Sequence, residues 1–298
     1  MQEITNLLVC PVCRSSELKT SPPECPDCGR HFSLECGHLN LTPVPPPDAD
    51  VLEKWDLWEK LQANGLVSYE SAPEENLSVG LRRDAQAFAK FCQLDGCLTL
   101  DVGCGPQRLP SYGAGQGNRF IGIDPLPGAA DRDFHFVQAI AEYLPFRDGV
   151  FDRILFSTSI DHFLNPLRAL REARRTLKPE GRVCIWYGDD EPGTENAVTH
   201  RTPGSMLRNA MAAWKSGGVA AVWKQLRRKL GLAPASATAS LEVPQGAVDH
   251  YHFFHVETAH LEAWLKEAGF RIEIVSREGA GGNVFVSAVP AGSAPGAV

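Results

Sequence analysis

Five of the nine cysteines fall in the first forty residues, and four of them form two Cys-x-x-Cys pairs, Cys10-Pro-Val-Cys13 and Cys25-Pro-Asp-Cys28. Two such knuckles bring four thiolates to the corners of a tetrahedron, the arrangement of a structural Zn2+ site with no open position. A redox dithiol would place a single pair ahead of a helix, whereas here two pairs stand in a Pro-rich stretch. The metal would also supply folding energy that a module of this size lacks in its own core. His31, Cys36 and His38 lie close by; with Cys28 completing the second pair, His31 beside Phe32 reads as a surface residue. Cys92, Cys97, Cys104 and Cys184 are scattered through apolar surroundings and read as core.

A second pattern occurs in Leu-Asp-Val-Gly-Cys-Gly-Pro-Gln, residues 100–107. A strand ends at Asp101, and Gly103 and Gly105 let the backbone turn tightly and approach a ligand with no Cβ in the way. A second strand ends in an acid, Asp124. Ligands of open α/β sheets sit outside the carboxyl ends of the strands, where an acid suits a ribose diol. The glycine loop alone is shared by nucleotide, flavin and nicotinamide sites. A nicotinamide site would want a third glycine. Two further clusters carry titratable groups: Asp161-His162, and Asp249 with His250, His252 and His255. With His260 the latter puts four histidines in eleven residues, open to a second metal but without strict ligand spacing.

The elements that must position these groups follow from periodicity. A helix is expected over 51–63, carrying Trp55 and Trp58. Leu81, Ala85, Phe88 and Cys92 mark one face of another. Buried strands are expected over 97–103, 119–124, 151–159 and 182–188. Asn165 and Pro166 form a cap and first-turn pair opening a helix along Leu167, Leu170, Ala173 and Leu177. A helix over 256–268 precedes Arg-Ile-Glu-Ile-Val-Ser and Asn-Val-Phe-Val-Ser-Ala, which read as an antiparallel pair. Strands alternating with helices predict an α/β fold with a mostly parallel sheet covered on both faces. The expected organisation is a zinc ribbon (1–42), a stiff Pro-rich linker (43–50), a domain (51–289) with a helical insertion (188–255), and a disordered tail (290–298).

Read together, these motifs resemble the class I S-adenosylmethionine-dependent methyltransferases. Leu-Asp-Val-Gly-Cys-Gly is similar to their first motif, and Ile-Gly-Ile-Asp-Pro to their acidic second-strand end. Residues 141–152 and 162–183 resemble two later motifs of the small-molecule branch. The resemblance implies a Rossmann-like sheet and S-adenosyl-L-methionine as cofactor. It implies that Gly103, Cys104 and Gly105 pass under the methionine part and that Asp101 holds the amino group, directly or through water. Asp124 would accept from both ribose hydroxyls, Pro125 would border the adenine, and the backbone at Ile140 and Ala141 would meet its edge. Ser157, ending the fourth strand, would complete the wall. Gln107, Ile140 and Glu180 depart from the family pattern, the last in the turn before Gly181. The cysteine module resembles the zinc ribbon fused ahead of some methyltransferases, including those acting on ribosomal RNA guanine.

Methyl transfer is an in-line displacement in which the enzyme mainly aligns the partners, and a general base helps when the acceptor is a hydroxyl. His162 with Asp161 is the first candidate for that base, and His250 and His252 the second. The chain has 298 residues, 43% hydrophobic, with net charge −7. These values fit a globular protein and exclude a polyanion binder as a whole, though not a local basic face. From Asn196 to Leu241 there are seven bases and no acid. That lid suits a small-molecule or lipid-linked acceptor with an anionic group, peripheral contact with an anionic membrane, or RNA. No apolar run is long enough to span a bilayer and the start lacks a signal-peptide pattern, so the expected location is cytoplasmic. The preferred function is methylation of a small molecule, sugar or lipid-linked glycan precursor. An RNA methyltransferase and a zinc-ribbon scaffold with a decayed cofactor pocket are the competing readings.

Overall fold

The computed structural model describes residues 2–71, 83–106, 118–127, 132–188, 241–278 and 282–292. Gln107, the basic stretch 201–229 expected to form a lid, and residues 293–298 of the expected tail lie outside these.

After a short helix α1 (Gln2–Thr5), β1 (Lys19–Thr20) and β2 (Pro23–Glu24) pair as a hairpin between the cysteine knuckles. A second hairpin joins β3 (Ser33–Glu35) to β4 (His38–Asn40) through Cys36 and Gly37. Both turn residues have positive φ, 49° and 82°, as a two-residue hairpin with the right twist requires. Cys36 therefore serves as a turn residue, apart from the other four cysteines.

The expected helix over 51–63 is broken and longer: α2 (Ala49–Leu52) is followed by α3 (Trp55–Ser71). Then come α4 (Arg83–Cys92), β5 (Leu98–Val102), β6 (Arg119–Asp124), β7 (His135–Gln138), β8 (Phe151–Ser157), α5 (Pro166–Thr176), β9 (Leu177–Gly188), α6 (Thr258–Glu267), β10 (Phe270–Glu278) and β11 (Asn283–Pro290). Nine strands form one sheet in the order β10-β11-β9-β8-β5-β6-β7-β4-β3. β5 through β9 run parallel, and β10 and β11 add an antiparallel pair at the β9 side. Successive residues of β8 serve opposite faces: Ile154 and Phe156 join one buried cluster, while Leu155 joins another with Phe88 of α4 and Phe285 of β11. Asn165 caps α5 as its sequence implies, its Oδ1 accepting from the Arg168 amide at 3.0 Å, with Pro166 in the first turn. Gly181 holds its place because a Cβ there would lie 2.7 Å from the Leu177 side chain, whereas Glu180 is exposed.

The amino-terminal module is joined to the domain more closely than a linked ribbon would be. β4 pairs parallel with β7, Leu39 opposite Val137 and Asn40 opposite Gln138, and the Leu41 amide donates to the Gln138 carbonyl at 2.8 Å. Without β4 the last parallel strand would expose a row of backbone groups. Leu8, Leu39 and Leu41 enter the main core. The module thus gains apolar burial from the domain, which adds to whatever a metal contributes.

Candidate functional site

The carboxyl ends of β5, β6 and β8 open onto a cleft of about 320 Å³, within the range of small-molecule sites. The glycine loop forms its floor. Gly103 and Gly105 have φ of +78° and +67°, and a Cβ at residue 103 would meet Ser159 Cβ at 2.5 Å. The loop is fastened to β6, the Gly103 and Cys104 amides donating to the Ile123 carbonyl at 2.9 and 3.1 Å. Asp124 holds the same loop from its side chain: Oδ2 accepts from the Gly105 amide and Oδ1 from the Leu126 amide, both at 2.8 Å. Arg132 lies 3.8 Å above the Phe136 ring and donates to the Gly105 carbonyl at 3.0 Å and the Pro127 carbonyl at 3.1 Å. Nothing in the motif pattern pointed to Arg132.

Of the expected cofactor contacts, Gly103, Cys104, Gly105, Asp124, Pro125, Ile140, Ala141 and Ser157 all line the cleft. Pro125 is anchored by Gln138, whose Nε2 donates to its carbonyl at 2.7 Å. The Cys104 Sγ turns away under the loop, 3.9 Å from an Arg132 nitrogen. Asp101 does not line the cleft. It is 3% exposed, lies behind the lining, and its Oδ1 has no hydrogen-bond partner among the described residues. Burial pushes Asp101 up to about 7, with the Asp124 charge adding, and burial pushes Asp124 up to about 6 against its two amide donors. Two carboxyls destabilised by desolvation behind a glycine floor suit a ligand bringing positive charge and hydroxyl donors.

The roof was not read from the sequence. Trp58, Leu61, Gln62, Gly65, Ser68 and Tyr69 of α3 also line the cleft. Their spacing of three and four residues was the available signal, but the helix was expected to stop at residue 63. Burial, reinforced by the Asp124 charge, drives the Tyr69 hydroxyl well above its ordinary value.

At the other end Asp161 and His162 follow β8, on a 3₁₀ turn (Ile160–His162). Thr158 just before it has φ of +51°, a strained conformation for a β-branched residue. His252 reaches the same place from the segment before α6. The His162 and His252 rings lie 4.4 Å apart, tilted by 38°, and both line the cleft. His162 Nδ1 faces the Tyr251 carbonyl at 3.0 Å, and His252 Nδ1 faces Asp249 Oδ2 at 2.7 Å. Burial holds His162 below its usual value, so the ring is neutral near pH 7. His250 is not in this group: it does not line the cleft, its Nδ1 is buried without a partner among the described residues, and its carbonyl accepts from Asn64 at 2.9 Å. His255 and His260 are exposed, so the four histidines do not converge on one ion.

In the amino-terminal module, one Sγ from each of Cys10, Cys13, Cys25 and Cys28 lies within 4.8 Å of the others. The Cys10 and Cys28 sulfurs lie 3.6 Å apart, and those of Cys13 and Cys25 3.5 Å. Four sulfurs about 2.3 Å from a shared Zn2+ stand roughly 3.8 Å apart, so the residues fit the ion. His31 is exposed beside Glu24 and lies outside the cluster.

Residues 100–185 match the family described as "Methyltransferase domain". The chain is 32% identical over 162 residues to an uncharacterized methyltransferase, YcgJ, of Bacillus subtilis strain 168, covering 45% of this chain and 64% of that one. It is 25% identical over 196 residues to a ubiquinone biosynthesis O-methyltransferase of Xanthomonas euvesicatoria, covering 62% of this chain and 66% of the relative. The chain spans about half the length of the first curated relatives it matches. In fold it is similar to a Burkholderia thailandensis 1,6-didemethyltoxoflavin-N1-methyltransferase solved with S-adenosylhomocysteine: TM-score 0.51, 15% identity, 83% of this chain and 92% of that one. Residues 100–185 thus match a methyltransferase domain, within a sheet whose fold is similar to that structure. Among the described residues no helix is long and apolar enough to cross a membrane.

Proposed function

We propose that the protein transfers a methyl group from S-adenosylmethionine to a small-molecule acceptor. One observation carries the reading: a single cleft joins the Gly103–Gly105 floor and the Asp124 carboxylate at one end to the Asp161, His162 and His252 cluster at the other. The cofactor supplies a methyl on a positively charged sulfur. The chain supplies its placement. Asp124 would receive the ribose hydroxyls on the lone pairs its two amide donors leave free. Asp101 would favour the amino group through its charge and through water, since it lies behind the lining. The Pro125, Ile140 and Ala141 wall, with Trp58 and Leu61 of α3 above, would enclose the adenine.

The acceptor would then lie toward His162 and His252. The Nδ1 of each ring faces a carbonyl or carboxylate oxygen, which leaves Nε2 as the ring atom turned to an acceptor. These two atoms would deal with the proton of a hydroxyl acceptor. The enclosing α3 roof favours a small acceptor over a polynucleotide, and the ubiquinone and toxoflavin relatives named above act on small molecules. The tetrahedral cysteine cluster would hold structural zinc, fixing the hairpin that ends the sheet.

The test is transfer of isotope-labelled methyl from S-adenosylmethionine into cell extract, separated into RNA, protein, lipid-glycan and small-molecule fractions. Label in the small-molecule or lipid-glycan fraction is expected. Label confined to RNA would overturn the acceptor class, and no incorporation with no cofactor binding would favour the scaffold reading.

A further inference from the structure

The Asp161, His162 and His252 cluster has a feature that a general base alone leaves unexplained. One ligand-capable atom from each of the three lies within 4.8 Å of the other two. His162 Nε2 is 3.9 Å from Asp161 Oδ1, and His252 Nε2 is 3.7 Å from Asp161 Oδ2. Both gaps are too long for a hydrogen bond. Asp161 Oδ1 is buried with no hydrogen-bond partner among the described residues. A desolvated carboxylate oxygen facing a nitrogen lone pair is unfavourable in an empty site and favourable around a cation.

The partners of the two Nδ1 atoms point the same way. Metal-bound histidines donate their other ring N–H to a carboxylate or a backbone carbonyl, which fixes tautomer and orientation. His252 Nδ1 does this with Asp249 Oδ2 at 2.7 Å, and His162 Nδ1 with the Tyr251 carbonyl at 3.0 Å. Asp249 is itself fixed, its Oδ1 accepting from the Tyr251 and His252 amides at 2.7 and 2.9 Å. The Phe253 amide donates to the Asp161 carbonyl at 3.3 Å, tying the two segments together. Each Nε2 is thereby left on the side of the same carboxylate. Ligands about 2.1 Å from a shared ion, at 90° to 120° to one another, stand roughly 3.0 to 3.6 Å apart. The three ligand atoms lie within 4.8 Å of one another, and inward movement of about an ångström closes the arrangement onto an ion.

We infer that Asp161, His162 and His252 bind one divalent transition-metal cation at the acceptor end of the cleft, separate from the four-cysteine site. Two imidazoles and one carboxylate leave coordination positions open, and this set suits Mn2+, Fe2+ or Zn2+, whereas four thiolates select zinc. Because His162 and His252 line the cleft, the open positions are available to an acceptor oxygen, so the acceptor class is a hydroxyl compound. The acceptor assignment rests on the methyltransferase reading; the cation site does not. Within it the two Nε2 atoms act as ligands, replacing the proton-accepting role given to them above.

The test uses full-length protein with its cysteine site loaded with zinc, titrated with Mn2+ and followed by the electron paramagnetic resonance of the free ion. One Mn2+ per chain is expected, with nitrogen hyperfine coupling from histidine in the spin-echo spectrum of the bound ion. Asp161→Asn and His252→Ala should weaken binding at least tenfold, and Asp249→Asn about 10- to 100-fold. His260→Ala, on the exposed surface, should leave it unchanged. Absence of Mn2+ binding, absence of nitrogen coupling, or equal affinity in the Asp161 and His252 variants would overturn the site. Binding of S-adenosylhomocysteine is measured on the same samples. Wild type that binds it but no Mn2+ refutes the cation site alone, and wild type that binds Mn2+ but not it refutes the methyltransferase reading alone.

Discussion

The backbone at Gly103 passes so close to Ser159 that a Cβ on residue 103 would stand 2.5 Å from the serine Cβ. Ser159 cannot easily retreat, because its Oγ donates to the Val102 carbonyl at 2.7 Å and its side chain is buried. The contact locks the glycine loop of one strand against the turn that leads to His162. It couples the two ends of the cleft through a steric contact, and φ of +78° adds a conformational reason for glycine. Gly103→Ala is expected to weaken S-adenosylhomocysteine binding at least tenfold and to destabilise the fold by about 1–3 kcal/mol, from overpacking plus the positive φ. Calorimetry and thermal melts check both.

Arg132 offers a second handle on that loop. Its guanidinium spans the Gly105 and Pro127 carbonyls while sitting over the Phe136 ring, a combination that a lysine ammonium cannot reproduce. Arg132→Lys should weaken cofactor binding by roughly tenfold, corresponding to one lost hydrogen bond of about 1.4 kcal/mol. A lysine variant binding as tightly as wild type would show that the loop is held by Asp124 and the Ile123 carbonyl alone.

The pH dependence of binding follows from the buried carboxyls. In the free protein Asp101 and Asp124 are raised to about 7 and about 6, so both carry protons over part of that range. A ligand with an ammonium group and hydroxyl donors favours the ionised carboxylates and lowers both values. Binding between pH 6 and 7 should therefore release protons, and affinity should rise with pH through this window and level off above it. Calorimetry in buffers of differing ionisation enthalpy measures the release directly. Proton uptake on binding would contradict the assignment.

Zinc removal should act at a distance from the cleft. The four cysteines hold the module whose β4 covers β7, and β7 ends in Gln138, the residue that anchors Pro125. Chelation or Cys13→Ser is expected to lower the melting temperature and to release the Leu41 amide to hydrogen exchange. Cofactor affinity should fall by a smaller factor, since only the Pro125 side of the cleft depends on this route.

Much of this site was legible because its signals are local. The Gly103–Gly105 turn, the acid closing β6 and the Asn165–Pro166 cap each depend on neighbours a few residues away. The antiparallel β10 and β11 pair was legible from two short apolar runs. What was missed is non-local. Residues 38–40 are too few to announce a strand, and their pairing with β7 joins segments about a hundred residues apart. The approach of His252 to Asp161 has the same character, since no spacing rule connects them, and His250 was equally plausible on sequence. The α3 roof was missed for a different reason: its apolar face carries Gln62, Gly65 and Ser68, which dilute the helical pattern just where the helix covers the cleft.

The account depends most on Asp124, whose carboxylate both shapes the glycine loop through Gly105 and faces the cleft. The most direct measurement is titration calorimetry of S-adenosylhomocysteine with wild type, Asp124→Asn and Asp124→Ala at pH 7.5. Asparagine keeps the size but loses the charge and one acceptor oxygen. The account predicts stoichiometric binding to wild type, at least tenfold weaker binding to the asparagine variant, and weaker still to the alanine variant, with zinc content unchanged in all three. Wild type that fails to bind, or variants that bind as tightly as wild type, would contradict it.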